Sequence, residues 1–263
     1  MLIESDRHTP GDLVAWATLS AADAARGRSI HMRRIESSAL RAVERFLRDP
    51  SECYASVSWG KDSVVVAHLV RRVEPTVPLV HVTRRAGEAL RYRNGVATCR
   101  IQNPDCDAVR DAFLALWPMP YCERERVVGD ESSYAHIVRE FGDRRIMGIR
   151  SSESGTRALS AKTHGISTKN VCRPILNWST DDVFAYLARH DLPVHPAYAM
   201  SMSGELDRSV LRVASIGGHQ GVGMGRRAWE RRYYRDCLSV DIGGQRSARL
   251  DESHGRSDDG RRR

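Results

Sequence analysis

Lysine is nearly absent from this chain. Of 41 basic residues among 263, only Lys61, Lys162 and Lys169 are lysines. Arginine dominance of this kind fits a GC-rich genome as well as a function. The six cysteines, Cys53, Cys99, Cys106, Cys122, Cys172 and Cys237, contain no CxxC pair and no zinc-finger spacing. An iron–sulfur cluster needs three or four converging thiolates, and such scattered positions argue against one. No apolar run reaches the roughly 18 residues of a membrane span, and no secretory signal is present. The expected setting is therefore cytoplasmic, with reduced thiols and no membrane contact. The G-x-x-x-x-G-K-[ST] spacing of a Walker A loop is missing, and there is no internal repeat. What remains is a globular composition, 41% apolar and 28% charged, long enough for one large domain with or without an appendage. A formal charge of +8 favours a polyanionic partner such as nucleic acid, although a plain soluble surface would carry the same sign.

In chain order, an alanine-rich helix is expected to about Ala25 and a second from Ser29 to Arg48. The second places Ile35, Leu40, Val43 and Phe46 on one face. An apolar strand then ends in Ser56-Val57-Ser58-Trp59-Gly60-Lys61-Asp62-Ser63, followed by a helix to about Arg72 and a strand Leu79–Val82. Strand, helix, strand implies a right-handed parallel crossover. Residues 84–100 read as an arginine-rich loop over the site, Asp105–Leu116 as a helix and Val127–Val128 as a short strand. Ser132–Phe141 reads as a helix, Arg145–Ile149 as a buried strand and 158–170 as a mobile polar loop. Val171–Leu176 is extended, and Ser179 with Asp182 caps a helix from Val183 to Arg189. Arg226–Leu238 is a basic helix with Trp229, Tyr233 and Tyr234, and beyond about Gly243 the tail is polar and expected to be disordered. Ligands of an open parallel sheet sit at the carboxyl ends of its strands. The segments around Ser56–Ser58, Val82 and Gly148–Arg150 should therefore share one cleft.

Ser58-Trp59-Gly60-Lys61-Asp62-Ser63 resembles the PP-loop, usually S-G-G-K-D-S, with Trp59 in place of a glycine. Gly148-Ile149-Arg150-Ser151-Ser152-Glu153-Ser154-Gly155-Thr156-Arg157 resembles the G-[IL]-R-x-x-[EQ]-S-x-x-R motif of phosphoadenosine phosphosulfate (PAPS) reductases and their relatives. Arg173 to Leu187, and then Leu192-Pro193 and Pro196-Ala197-Tyr198, continue the likeness. The resemblance implies an adenine nucleotide alpha-hydrolase fold of the α/β class. That fold is a Rossmann-like parallel sheet with helices on both faces, here with N-terminal helices and a C-terminal helical extension. The expected divisions are a helical segment 1–50, a nucleotide-binding domain 51–200, a basic glycine-rich extension 201–242 and a tail 243–263.

By the same resemblance, the chemistry lies at the alpha-phosphate of ATP, with pyrophosphate leaving. Ser58, Gly60, Asp62 and Ser63 would offer N–H and hydroxyl donors to the phosphates, and Ser56, Trp59, Val82 and Gly148 would complete the nucleotide site. Lys61 would offset charge on the leaving group, Asp62 would help hold Mg²⁺, and Arg150 and Arg157 would form a second cationic wall. Glu153 would orient one of those arginines. Trp178, Asp181, Asp182, His81, His164 and His195 read more simply as packing, capping or structural residues. PAPS reductases use a cysteine in E-C-G-x-H; Arg235-Asp236-Cys237-Leu238-Ser239 lacks the glycine and histidine, and His81-Val82-Thr83-Arg84 lacks their D-T-G. Those departures favour the branch that activates nucleic acid, DNA first, for sulfur insertion with a sulfur donor such as a cysteine desulfurase. The alternatives are a sulfonucleotide reductase, a tRNA-thiolating enzyme and a non-catalytic nucleotide-binding module.

Overall fold

Two-residue alternation divides each strand between a helix-covered face and a barer one. In the computed structural model, which describes residues 1–83, 102–125, 133–213, 216 and 226–239, the strands are β1 (Cys53–Val57), β2 (Leu79–Thr83), β3 (Tyr121–Glu125), β4 (Arg144–Met147) and β5 (Val171–Cys172). They form one sheet in the order β3-β2-β1-β4-β5. Every pairing is parallel, with Ser56 opposite Val80 on one side and Met147 on the other. The chain moves outward from β1 to β2 and β3, then returns across the sheet to β4. The order therefore reverses beside β1, and the crevice between the ends of β1 and β4 is the switch point where such sheets take ligands. The α/β, Rossmann-like class expected from the sequence is thus observed.

Ala55, Val57, Leu79, Ile146 and Cys172 point to the covered face and join the main core. On it lie α2 (Ile30–Leu47), α3 (Lys61–Val73) and α7 (Thr180–Arg189), with α1 (Pro10–Gly27) against α7. α4 (Cys106–Leu116) adds Val109 and Phe113 to the same core. On the other face α5 (Ser133–Phe141) sets Ile137 against Tyr54 and Val80. No helix of the described residues is long and apolar enough to cross a membrane.

Three expectations change. Residues 155–164 form α6 (Gly155–His164) instead of a loop, because Ser154 caps the Arg157 N–H and Gly165 ends the helix at φ 62°. Its surface lies in solvent, with Leu159 67% exposed, so it carries no apolar stripe. β3 lies at Tyr121–Glu125, upstream of the predicted strand, and 127–128 fall outside the described residues. The basic C-terminal helix is broken at Tyr234 into α8 (Arg226–Tyr233) and α9 (Arg235–Ser239). The predicted loop 84–100, the glycine run 217–225 and the tail from 243 also lie outside the described residues.

Tyr233 and Tyr234 stitch the C-terminal helices to the body. The Tyr233 hydroxyl bonds the Asp12 carboxylate at 3.0 Å, and that of Tyr234 bonds Asp105 at 2.8 Å. Trp229 donates its indole N–H to the Met200 carbonyl at 2.7 Å. All three rings are buried. The aromatic residues expected to accompany a nucleic-acid contact are anchors, while Arg231, Arg232 and Arg235 are exposed.

Candidate active site

β1 delivers the loop 58–60 to the sheet's carboxyl edge, and α3 begins at once. Gly60 is the N-cap and has no side chain, so the cap residue itself places no side-chain acceptor over the first turn. Ser63 folds back on the loop instead. Its Oγ accepts the Ser58 N–H at 3.2 Å and donates to the Gly60 carbonyl at 2.9 Å. The Lys61 N–H donates to the Tyr198 hydroxyl at 3.2 Å, and Lys61 Nζ lies 5.2 Å from the centre of that ring. Tyr198, buried on a short turn after α7, was not singled out as a site residue. Its only sequence signal was the Pro196-Ala197-Tyr198 likeness.

The charged centre is a three-residue chain. Asp62 takes Lys61 Nζ on Oδ2 at 2.8 Å and Arg150 Nε on Oδ1 at 2.7 Å. Arg150 is 3% exposed, and its remaining donors reach Ser152 Oγ, the Trp178 carbonyl and Thr180 Oγ1 at 3.2–3.4 Å. Gly148 makes this approach possible, because a Cβ there would stand 2.8 Å from the Asp62 carbonyl oxygen. Glu153 accepts the Arg150 backbone N–H at 3.3 Å and pairs with Arg157, so it serves both arginines. Burial, then the like charge of Arg212, lower the Arg157 pKa.

Three site candidates thus converge directly, and Arg157 joins them through Glu153. Ser58, Gly60 and Ser63 shape the loop. Trp59 does not line it with its side chain. Its backbone sits at φ 56°, in the left-handed region, and turns the indole into the core, fully buried against Phe113, Tyr121 and His81. Only its backbone remains available to a ligand. Ser56 and Val82 line a separate cavity of about 210 Å³ on the barer sheet face, with Tyr54, Val80, Ile137 and Met147. Arg145 lines it too, and Met147 directly precedes Gly148, which packs against the Asp62 backbone.

Asp62 was expected to help hold Mg²⁺. Both of its oxygens are engaged by cations, and the described residues contain no group of three or more histidines, cysteines or acids able to hold a metal ion. The residues present do not form a metal cage. Trp178 packs in the core, Asp182 caps α7 and pairs with Arg26, and Asp181 pairs with Arg208. His81 and His195 are buried, and burial pushes their pKa values down to about 4 and about 3.

The PAPS reductase domain model matches residues 117–221, a span that includes the Arg150–Arg157 and Arg173–Leu187 motifs but not the loop at 58–63. Over this span the chain is similar to the PAPS reductase-like family. It is 27% identical over 163 residues to a phosphoadenosine 5'-phosphosulfate reductase of Alkalilimnicola ehrlichii, covering 57% of this chain and 66% of that one. Enzymes of the same name from Synechococcus and Xanthomonas oryzae are each 26% identical, over 54% and 60% of this chain and 67% and 73% of theirs. The chain therefore spans about two thirds of the length of the curated relatives it matches. A crystal structure of a PAPS reductase from Candida auris in complex with phosphate aligns with a TM-score of 0.39 and 12% identity, covering 63% of this chain and 88% of that one.

Proposed function

We propose that this PAPS reductase-like enzyme binds ATP with its phosphates on the 58–63 loop and cleaves it at the alpha-phosphate. An acceptor oxygen attacks the alpha-phosphorus, the bond to the bridging oxygen breaks, pyrophosphate leaves and the acceptor proton is released. A persulfide on a partner such as a cysteine desulfurase would then attack the adenylylated acceptor, DNA in the first instance, and displace AMP; a second thiol of the partner breaks the S–S bond, leaving the sulfur on the acceptor and a disulfide on the partner. The observation that carries the proposal is the chain Lys61–Asp62–Arg150 at the start of α3. It supplies two cations fixed by one carboxylate at a helix N-terminus whose cap residue, Gly60, has no side chain. Preorganised charge of this type is what stabilises a departing pyrophosphate. Mg²⁺, if it accompanies the nucleotide, neutralises phosphate charge.

The second reading is sulfonucleotide reduction, and the relatives' names support it better than they support ATP cleavage. That reaction needs a nucleophilic thiolate. Burial raises the thiol pKa of all five described cysteines, Cys106 and Cys172 to about 12. Cys237, the reductase candidate by position, is raised by burial and then by Asp236, while Arg7, which holds that carboxylate and also reaches the Cys237 sulfur at 4.0 Å, acts in the opposite direction.

The test gives the full chain ATP, Mg²⁺ and DNA, and in parallel PAPS with reduced thioredoxin. Pyrophosphate in the first reaction supports the proposal. Sulfite in the second with no pyrophosphate in the first replaces it with the reductase. Binding without turnover in either leaves a nucleotide-binding module.

A further inference from the structure

Two guanidinium groups meet at Glu153, one on its carboxylate and one on its backbone carbonyl. Arg157 pairs with the Glu153 carboxylate, and Arg212 Nη2 donates to the Glu153 carbonyl at 3.5 Å. Glu153 also accepts the Arg150 N–H, so its charge is already distributed. With Lys61 and Arg150 held by Asp62, four cations face two carboxylates around this loop. Arg212 has no carboxylate of its own among these contacts, and its charge, with that of Arg150, acts on Arg157 against the opposite charge of Asp62.

The backbone carrying Arg212 is fixed over the loop. Leu211 is buried and donates its N–H to the Arg208 carbonyl at 3.2 Å. The Arg212 carbonyl accepts Arg226 Nη1 at 3.1 Å, and Arg226 pairs with Glu230 on α8. Val213 Cβ stands 3.7 Å from the place where a Cβ of Gly60 would be. The Arg212 side chain itself is exposed, so a ligand on the loop could reach it. A planar fork of donors beside a second guanidinium suits a phosphate with two free oxygens.

We propose that Arg212 and Arg157 form an outer phosphate subsite, which holds the beta- and gamma-phosphates of a nucleotide while Lys61 and Arg150 hold the inner one. The inference rests on the nucleotide-binding reading above and adds to it a residue that the loop motif does not contain. In this arrangement the C-terminal segment senses the length of the phosphate chain, so the site distinguishes a triphosphate from AMP.

Calorimetry on the full chain tests this with ATP, pyrophosphate, AMP and a nucleotide whose extra phosphate is on the ribose. Arg212→Ala should weaken ATP and pyrophosphate about tenfold, the loss of one charge-assisted contact at an exposed site, and change AMP by less than about twofold. Arg212→Lys should recover part of the loss. Equal weakening of ATP and AMP would mean that Arg212 only supports the loop, and would overturn the proposal. So would unchanged ATP affinity, or a loss confined to the ribose phosphate. If the unmodified protein binds none of these, the nucleotide reading itself fails and the subsite with it. Tight wild-type binding with an indifferent Arg212→Ala defeats the subsite alone.

Discussion

Replacing Trp59 by the glycine usual in a PP-loop should make the loop more regular and the protein less stable. The indole is fully buried, and its neighbours Phe113, Tyr121 and His81 lie with ring centres 5.7–6.3 Å away. Deleting a large buried aromatic ring costs about 3–5 kcal/mol. Two gains offset part of this. A glycine relaxes the backbone at φ 56°, a relief of about 1 kcal/mol. The indole N–H, buried without a hydrogen-bond partner, disappears as well, which returns about 1 kcal/mol. The net loss should be about 2 kcal/mol, a sizeable part of a typical folding free energy of about 5–15 kcal/mol. In urea, with a slope of about 2 kcal/mol per molar, the midpoint should fall by about 1 M. ATP affinity should stay within about twofold, because the ring points away from the phosphate cradle and the backbone there is kept. Trp59→Phe should fall between the two. A stable Trp59→Gly protein whose ATP affinity drops tenfold would refute the reasoning and put the indole in the site.

Gly148→Ala should destabilise by about 1–3 kcal/mol and reduce nucleotide binding, since its Cβ collides with the Asp62 backbone at 2.8 Å; thermal unfolding and calorimetry check both. Asp62→Asn should leave Lys61 and the buried Arg150 without a counter-charge and lower stability by about 3 kcal/mol; a variant as stable as the parent would contradict the ion-pair geometry. Acid should destabilise the fold in the window set by the buried histidines. His68, His81 and His195 are pushed from the ordinary 6.5 to about 3, 4 and 3, so below pH 6.5 the unfolded chain takes up protons first. Stability is then lost as pH falls from about 6.5 towards 4, by about 1.4 kcal/mol per pH unit for each histidine, and His195→Gln should flatten the profile.

Residues that act locally were legible in the sequence. Ser179 and Asp182 announced the start of α7, and the loop at 58–63 carried its own residue types. The parallel sheet followed from apolar strands alternating with helices. What stayed hidden depends on distant partners or on solvent. α6 is held by a cap and lies in water, so no apolar period marks it. β3 is an edge strand containing Glu123, Arg124 and Glu125, whose charges suit an edge and mask a strand. Trp229, Tyr233 and Tyr234 read equally well as a stacking surface or as anchors, and only Met200, Asp12 and Asp105 decide between them. Tyr198 meets the loop from 137 residues away and Arg212 reaches Glu153 from 59 residues away, beyond the reach of any local pattern.

The central claim is that the bond broken lies at the alpha-phosphate. Incubating the full chain with DNA and ATP labelled at that phosphate tests it most directly. The account predicts labelled AMP or label on DNA with matching pyrophosphate, both lost in Lys61→Ala. Labelled ADP with free phosphate, or AMP formation that survives Lys61→Ala, would contradict it.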